Sequence, residues 1–557
     1  MWSLLACVLC SLVAVSADEL VVRTTQGQLR GSVMKTVEGK DIFAFRGVPF
    51  AKAPVGDLRF RAPQPAEPWE GVRNATEDGA PCPQISENFG VPSEDCLTLN
   101  VYTTKIPKTK GDQLRPVIIF FHPGGYFSLT GNSVFAGPQY IMDQDIVLVS
   151  SNYRLGALGF LSMQDANLPG NYGMKDQVQV LRWVKNNIAA FGGDPNSVTI
   201  FGYSAGSRSV FLHMMSPMSK GLFHRCIAMS ASPIKPSDGR SPVELAKKLA
   251  DLVNCPSTSS KQIVDCLRQK SAEEIYTTLR KFREFGYNPI TVFRPEVEPD
   301  LGDGSERFLI GDPHELAVAG KFVHVPLITG YTTLEFGWKA LQIIGNSSLA
   351  KEMTDDFERV GPIVFGYERG TEKSHQISRE LRKFYLKDQP ITNASEQALG
   401  QLYSDSIINF PEDRSVKLIS RKSSAPVYFY KFSYAGRWSY IYHPPGSKKP
   451  YGVVHHDDLI YLFHNSALHP FITPRDAEYQ TMKKLTKIWA DFARGGDPTP
   501  EASPLLNNVK WEPFTEKNLK YLDIGSALDM KRGLYQDRIA VWEKLFLIPG
   551  PAAVKNE

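Results

Sequence analysis

No apolar run beyond the first residues approaches the roughly 20 consecutive residues that a membrane-spanning helix needs, which excludes a multi-span membrane protein. Basic blocks and repeated aromatic-basic interleaving are also missing. Lys and Arg outnumber Asp and Glu by only 63 to 59 over 557 residues, so nucleic acid is not an expected partner. No internal repeat, low-complexity tract or Pro/Ser-rich linker divides the chain, and one continuous domain over residues 18–557 is the simplest organisation. Cysteine is scarce, at seven residues, and apart from His455-His456-Asp457-Asp458, for which a metal site is the weaker alternative, no His/Cys/Asp/Glu cluster has metal-ligand spacing. Neither a metal nor a cofactor is expected. What remains is ordinary globular composition, 42% hydrophobic and 22% charged, which rules out disorder and supplies ample core material.

The first 17 residues contain no charged side chain and carry the apolar run Leu4 to Val15, ending in Val15-Ser16-Ala17. This reads as a secretory signal peptide cleaved before Asp18, and an uncleaved anchor is the competing reading. The tail after Leu547 is too polar for a lipid-anchor signal, so an extracellular protein without a stable membrane anchor is expected. Cys7 and Cys10 leave with the signal. Secretion favours disulfides among the rest, and the local pairs Cys82 with Cys96 and Cys255 with Cys266 each close a short loop among turn-forming residues. Cys226, within an apolar run ending at Met229, is left as a buried, inert thiol. Asn74, Asn346 and Asn393 head N-glycosylation sequons.

Short runs rich in branched residues recur at Val117 to Phe121, Ile146 to Val149, Val198 to Phe201, Val325 to Ile328 and Val427 to Phe429, as buried parallel strands do. Between two of them, Met174, Val178, Leu181, Val184 and Ile188 fall on one helical face. The pattern stops at Gly192-Gly193-Asp194-Pro195. Strands alternating with helices predict an α/β fold, a large and mostly parallel sheet flanked by helices, with its site at the carboxyl ends of strands.

The strongest chemical signal is Gly202-Tyr203-Ser204-Ala205-Gly206, directly after a strand and before a helix-compatible stretch. A nucleophile elbow needs small neighbours because the strand-to-helix turn is strained and tightly packed. Read without that context, the same motif is a glycine-containing turn. A serine hydroxyl also needs a base to take its proton and donors to hold the oxyanion. His122-Pro123-Gly124-Gly125-Tyr126 stands at the end of another strand. The N–H groups of Gly124, Gly125 and Ala205 are the expected donors; a plain Gly-Gly turn is the alternative.

These motifs resemble the type-B carboxylesterases, the family that also holds the cholinesterases, and most closely the secreted insect enzymes. The run Phe191 to Gly206 is similar to the active-serine signature, and Glu94-Asp95-Cys96-Leu97 to the second signature. The resemblance spans nearly the whole mature chain. It implies the α/β-hydrolase fold, Glu335 as the triad acid and His455, in His455-His456-Asp457-Asp458, as the base, with His456 as the other candidate. It further implies a buried ion pair between Arg46 and Glu94 and another between Arg154 and Asp176. The reaction it implies is ester hydrolysis through an acyl-enzyme on Ser204, with activity falling below the histidine's pKa, nominally about 6.5.

Three positions depart from the family pattern: Pro123 replaces a glycine, Tyr203 an acidic residue and Ala231 a glycine. A cholinesterase needs aromatic faces and nearby negative charge for a quaternary ammonium. The Cys82–Cys96 loop has no tryptophan and residue 203 is not acidic, so a small, uncharged, apolar ester is the expected substrate. Two other uses of such a chain are a catalytically silent adhesion or carrier protein and a lipase of the same fold.

Overall fold

The computed structural model describes residues 20–547 other than 87, 110 and 445. The expected signal peptide, residues 1–17, and the polar tail lie outside these described residues. Eleven strands form the main sheet. In chain order they are β1 (Ser32–Lys35), β2 (Asp41–Pro49), β3 (Thr98–Thr103), β4 (Arg115–Phe121), β5 (Val147–Ser151), β6 (Gly193–Tyr203), β7 (Arg225–Met229), β8 (Leu327–Thr332), β9 (Val427–Phe432), β10 (Lys520–Ile524) and β11 (Leu528–Arg532). Their spatial order is β11-β10-β9-β8-β7-β6-β4-β5-β3-β2-β1. The pairs from β5 through β4, β6, β7, β8 and β9 to β10 are parallel. The outer pairs are antiparallel. A separate three-stranded sheet is built from Val21–Arg23, Gln28–Arg30 and Val72–Asn74.

The continuous apolar runs follow from burial of both sheet faces. Side chains alternate across a strand, so Val117, Ile119 and Phe121 of β4 enter one core, while Ile118 and Phe120 enter the core on the opposite face. In β5 the split is Val147 and Val149 against Leu148. Helix α1 (Tyr172–Asn187) covers the first face with Met174, Val178, Leu181 and Val184. Helix α2 (Ala205–Met215) packs there too, through Val210, Phe211 and Met214. Helix α3 (Tyr479–Gly495) covers the second face with Met482, Leu485, Ile488 and Trp489. A third core joins helical segments between residues 339 and 410 to Trp542. That helical insertion accounts for much of the chain's length beyond the sheet.

Cys82 is bonded to Cys96 and Cys255 to Cys266, and Cys226 is free and buried in β7. Arg154 forms the expected buried pair with Asp176, its Nη2 lying 2.7 Å from Oδ1. The other expected pair is different. Glu94 is held by Arg59, whose Nε lies 2.7 Å from Oε1, and Arg59 also donates to the carbonyls of Leu267 and Lys270. Arg46 faces Asp78 at 3.4 Å instead. Arg59 is the more enclosed arginine, at 7% exposure, and its spare donors find carbonyl acceptors, as a buried guanidinium requires. Asn74, Asn346 and Asn393 are all exposed.

Candidate active site

Ser204 is the single residue between β6 and α2, held at φ 55°, ψ −115°. Such a conformation costs on the order of 1–3 kcal/mol for a non-glycine residue, and two backbone bonds fix it: its N–H donates to Met229 at 2.8 Å, and its carbonyl accepts from Arg208 at 3.0 Å. The turn closes only because residue 206 has no side chain, since a Cβ there would lie 2.0 Å from the Phe121 carbonyl oxygen. The same close approach brings the end of β4, and the loop after it, beside Ser204. In that loop Gly124 sits at φ 110°, where a Cβ would meet the Ser128 oxygen at 1.9 Å. Gly124, Gly125, Ser204 and Ala205 line one cavity. Ala205 opens α2, so its N–H is one of the helix's unpaired first-turn donors.

Two loops deliver the remaining groups. Glu335 follows β8, and the backbone of Leu334 bridges that of Val454, its N–H donating to Val453 at 2.9 Å. This bridge sets residue 335 beside residue 455 although 120 positions separate them. The histidine loop is pinned by Asp457, which accepts from Val454 N–H and Tyr440 N–H at 2.9 Å and from Ser439 Oγ at 2.8 Å. His455 Nε2 lies 2.9 Å from Ser204 Oγ, and its Nδ1 lies 2.5 Å from Glu335 Oε2. The other carboxylate oxygen, Oε1, accepts from Ser230 Oγ at 2.6 Å and Thr332 N–H at 2.8 Å.

Glu335 is fully buried and His455 is 5% exposed. Burial pushes the Glu335 pKa above its ordinary value, while the Ser230 and Thr332 donors pull it back. Burial, reinforced by the Arg208 charge, pushes His455 well below its ordinary value and keeps the imidazole neutral. A carboxylate with both oxygens accepting orients that neutral ring with its proton on Nδ1, leaving the Nε2 lone pair facing Ser204.

His456 occupies a different position. It lines the same cavity, its Nε2 has no hydrogen-bond partner among the described residues, and burial holds its pKa well below the ordinary value. Tyr203 serves as packing for this pair: its ring meets His455 edge-on at 5.1 Å, and its hydroxyl accepts from His456 N–H at 2.8 Å. Pro123 precedes the glycines and its carbonyl lies 2.7 Å from His122 Nδ1. Ala231 lines the cavity.

The cavity holds about 340 Å³, and two unlike sets of side chains make up its wall. One is apolar, with Phe127, Ile290, Phe336, Trp338, Phe365 and Ile408 among its residues. The other carries Arg208, Lys235, Arg240 and Arg294 around the single carboxylate Asp238. Composition and motif spacing did not point to this basic wall, because its residues come from α2, the loop after β7 and a loop near residue 294. One signal was present: Arg208 stands four positions after Ser204, and in a helix that spacing puts both on one face. Among the described residues no group of three or more His, Cys, Asp or Glu is arranged to hold a metal ion, and no helix is long and apolar enough to cross a membrane.

Residues 18–542 match the model of the carboxylesterase family. The juvenile hormone esterase of Tribolium castaneum is 36% identical over 97% of this chain and 96% of its own length. Venom carboxylesterase-6 of Apis mellifera is 35% identical over 92% of this chain and 91% of its own. The crystal structure of juvenile hormone esterase from Manduca sexta, with OTFP covalently attached, superposes with a TM-score of 0.83 at 28% identity, covering 94% of this chain and 99% of that one. The chain therefore belongs to the carboxylesterase family, and it is a carboxylic ester hydrolase of the α/β-hydrolase fold.

Proposed function

We propose that the protein is a secreted serine esterase that works through an acyl-enzyme on Ser204. The observation that carries this reading is the contact chain Ser204–His455–Glu335, with Nε2 2.9 Å from the hydroxyl oxygen and Nδ1 2.5 Å from the carboxylate. Neutral His455 takes the Ser204 proton as Oγ attacks the ester carbonyl. Glu335 orients the ring and stabilises the imidazolium. The N–H groups of Gly124, Gly125 and Ala205 receive the oxyanion, and His455 then protonates the departing alcohol. Water, deprotonated by the same imidazole, attacks the acyl-enzyme and releases the carboxylate. The ligand covalently attached to the Manduca sexta relative supports a mechanism with a covalent stage.

The substrate is a small-molecule ester whose body packs against the apolar wall. Choline esters are disfavoured on charge, because four cationic side chains line the cavity against one carboxylate. The expectation of an uncharged ester accounts for the apolar wall and not for the basic one. Residues 1–17 act as the secretion signal of one catalytic domain that extends from residue 18, and the exposed Asn74, Asn346 and Asn393 are its glycan acceptors.

Pre-steady-state hydrolysis of a nitrophenyl ester tests the mechanism. A burst of nitrophenol equal to the enzyme concentration is expected wherever deacylation is the slower step. Trapping by acid quench should give an acylated protein that is absent from the Ser204→Ala variant. A quenched wild-type enzyme that never carries the acyl mass would overturn the proposal.

A further inference from the structure

The basic wall contains more positive charge than its own chain neutralises. Asp238 is shared: Arg294 grips it with Nη1 at 2.6 Å and Nη2 at 3.0 Å, and Arg240 reaches it with Nη2 at 2.7 Å and Nε at 3.1 Å. Burial alone would raise the Asp238 pKa, yet these guanidinium groups hold it far below the ordinary carboxylate range. Glu296 serves Arg294 from behind, at 3.0 Å from Nε. Arg208 and Lys235 have no carboxylate within ion-pair distance among the described residues. Two enclosed guanidinium nitrogens, Arg208 Nε and Arg240 Nη1, have no acceptor among the described residues.

Each such orphan donor is costly, and charged ones more so. Burial, and then the neighbouring Arg294, push Lys235 down to about 7 against the pull of Asp238. An ammonium destabilised by burial and by neighbouring cations is a group that an incoming anion repairs. The wall is not placed for folding alone, because it faces the space that also exposes Ser204 and His455. Arg208 sits on the turn of α2 immediately after the nucleophile, close enough for its charge to act on His455.

We propose that Arg208, Lys235 and Arg240 form an anion subsite, so that the preferred esters of this enzyme are amphiphiles carrying a carboxylate remote from the ester bond. The subsite rests on the reading of Ser204 as the esterase nucleophile, since it is this cavity that the substrate enters. The apolar wall takes the hydrocarbon between the two functional groups, and the guanidinium and ammonium donors take the carboxylate through charge-assisted hydrogen bonds.

Two matched pairs test the proposal whichever side of the ester carries the charge: 4-nitrophenyl hydrogen suberate against 4-nitrophenyl octanoate, and 8-acetoxyoctanoate against octyl acetate. In at least one pair the anionic member should have kcat/KM higher by about tenfold or more, the return of one charged hydrogen bond. Lys235→Met should erase most of that preference while still hydrolysing the neutral esters, and Arg208→Gln should lower the same ratio. Equal or lower rates for both anionic esters, or a preference that survives in both variants, would overturn the subsite. Calorimetry with octanoate and octanamide separates this outcome from failure of the esterase reading. Tighter octanoate binding that is lost in Lys235→Met upholds the subsite even without turnover, and equal binding of the two ligands refutes it.

Discussion

Replacing Glu335 by glutamine should abolish nearly all activity without unfolding the protein, because the hydrogen-bond donors around it dictate which way the amide must lie. In the wild-type chain Oε1 accepts from Ser230 Oγ and Thr332 N–H, at 2.6 and 2.8 Å. Both are donors to the carboxylate, so the glutamine must present its carbonyl oxygen to them and its NH2 group to His455. The amide then donates to Nδ1, and the neutral imidazole is forced to carry its proton on Nε2, 2.9 Å from the Ser204 hydroxyl. That nitrogen can no longer accept the serine proton.

A trapped wrong tautomer of this kind costs on the order of 10⁴ in kcat, equivalent to about 5.5 kcal/mol of barrier. The exchange is nearly isosteric and retains both donors on Oε1, so Tm should change little. Steady-state hydrolysis of a naphthyl or nitrophenyl ester, with thermal unfolding alongside, measures both effects. A folded Glu335→Gln enzyme retaining more than about a tenth of wild-type kcat would refute the assignment of the acid, since a tautomer switch cannot be that mild.

Two further outcomes follow from the same geometry. His455 must be neutral to act as base, and burial places its pKa below the ordinary value. Burial also pushes the Glu335 carboxyl up to about 7, so the pair takes up its first proton near that pH and kcat/KM should fall as pH drops through it, since a protonated Glu335 no longer stabilises the imidazolium. A rate that stays constant from pH 8 down to pH 5 would contradict the environment described for the pair. The Cys255–Cys266 bridge closes a loop with a sequence separation of 11, for which chain entropy gives about 3 kcal/mol of stabilisation. The Cys255→Ser, Cys266→Ser double variant should therefore unfold at lower denaturant in equilibrium melts, and an unchanged midpoint would show that the bridge constrains nothing.

Much of the architecture was legible because burial on two faces writes a distinctive pattern. All five branched runs reach strands of the parallel sheet, although the one starting at Val325 overlaps β8 only at Leu327 and Ile328, and the stripe from Met174 faces a core as its spacing required, its last member, Ile188, lying just past the end of α1. Strand β7 was harder to see, since Arg225–Met229 contains a single β-branched residue, Ile227. The strands β1 and β2 at one edge are partly exposed and lack the continuous apolar signature. At the site, local chemistry marked the serine turn and the glycine loop, because both depend on close backbone approach within a few residues.

Glu335 and His455, the proposed acid and base, were not readable that way. Their meeting depends on a bridge between Leu334 and Val454, a contact that no local spacing encodes, and they came from family resemblance alone. Resemblance also paired Glu94 with the wrong arginine: Arg59 reaches Glu94 only because the distant Leu267 and Lys270 carbonyls hold its guanidinium in place, while Arg46 is drawn to Asp78. The basic wall escaped notice for a related reason. Its members span residues 208 to 294 and become one surface only when three separate elements converge.

The most direct measurement on the central claim is covalent labelling by an organophosphate, followed by peptide mass mapping and residual esterase activity. A single adduct on Ser204, accumulating in proportion to the activity lost, is the expected result. Full inactivation with the adduct on another residue, or complete labelling of Ser204 with turnover intact, would contradict it.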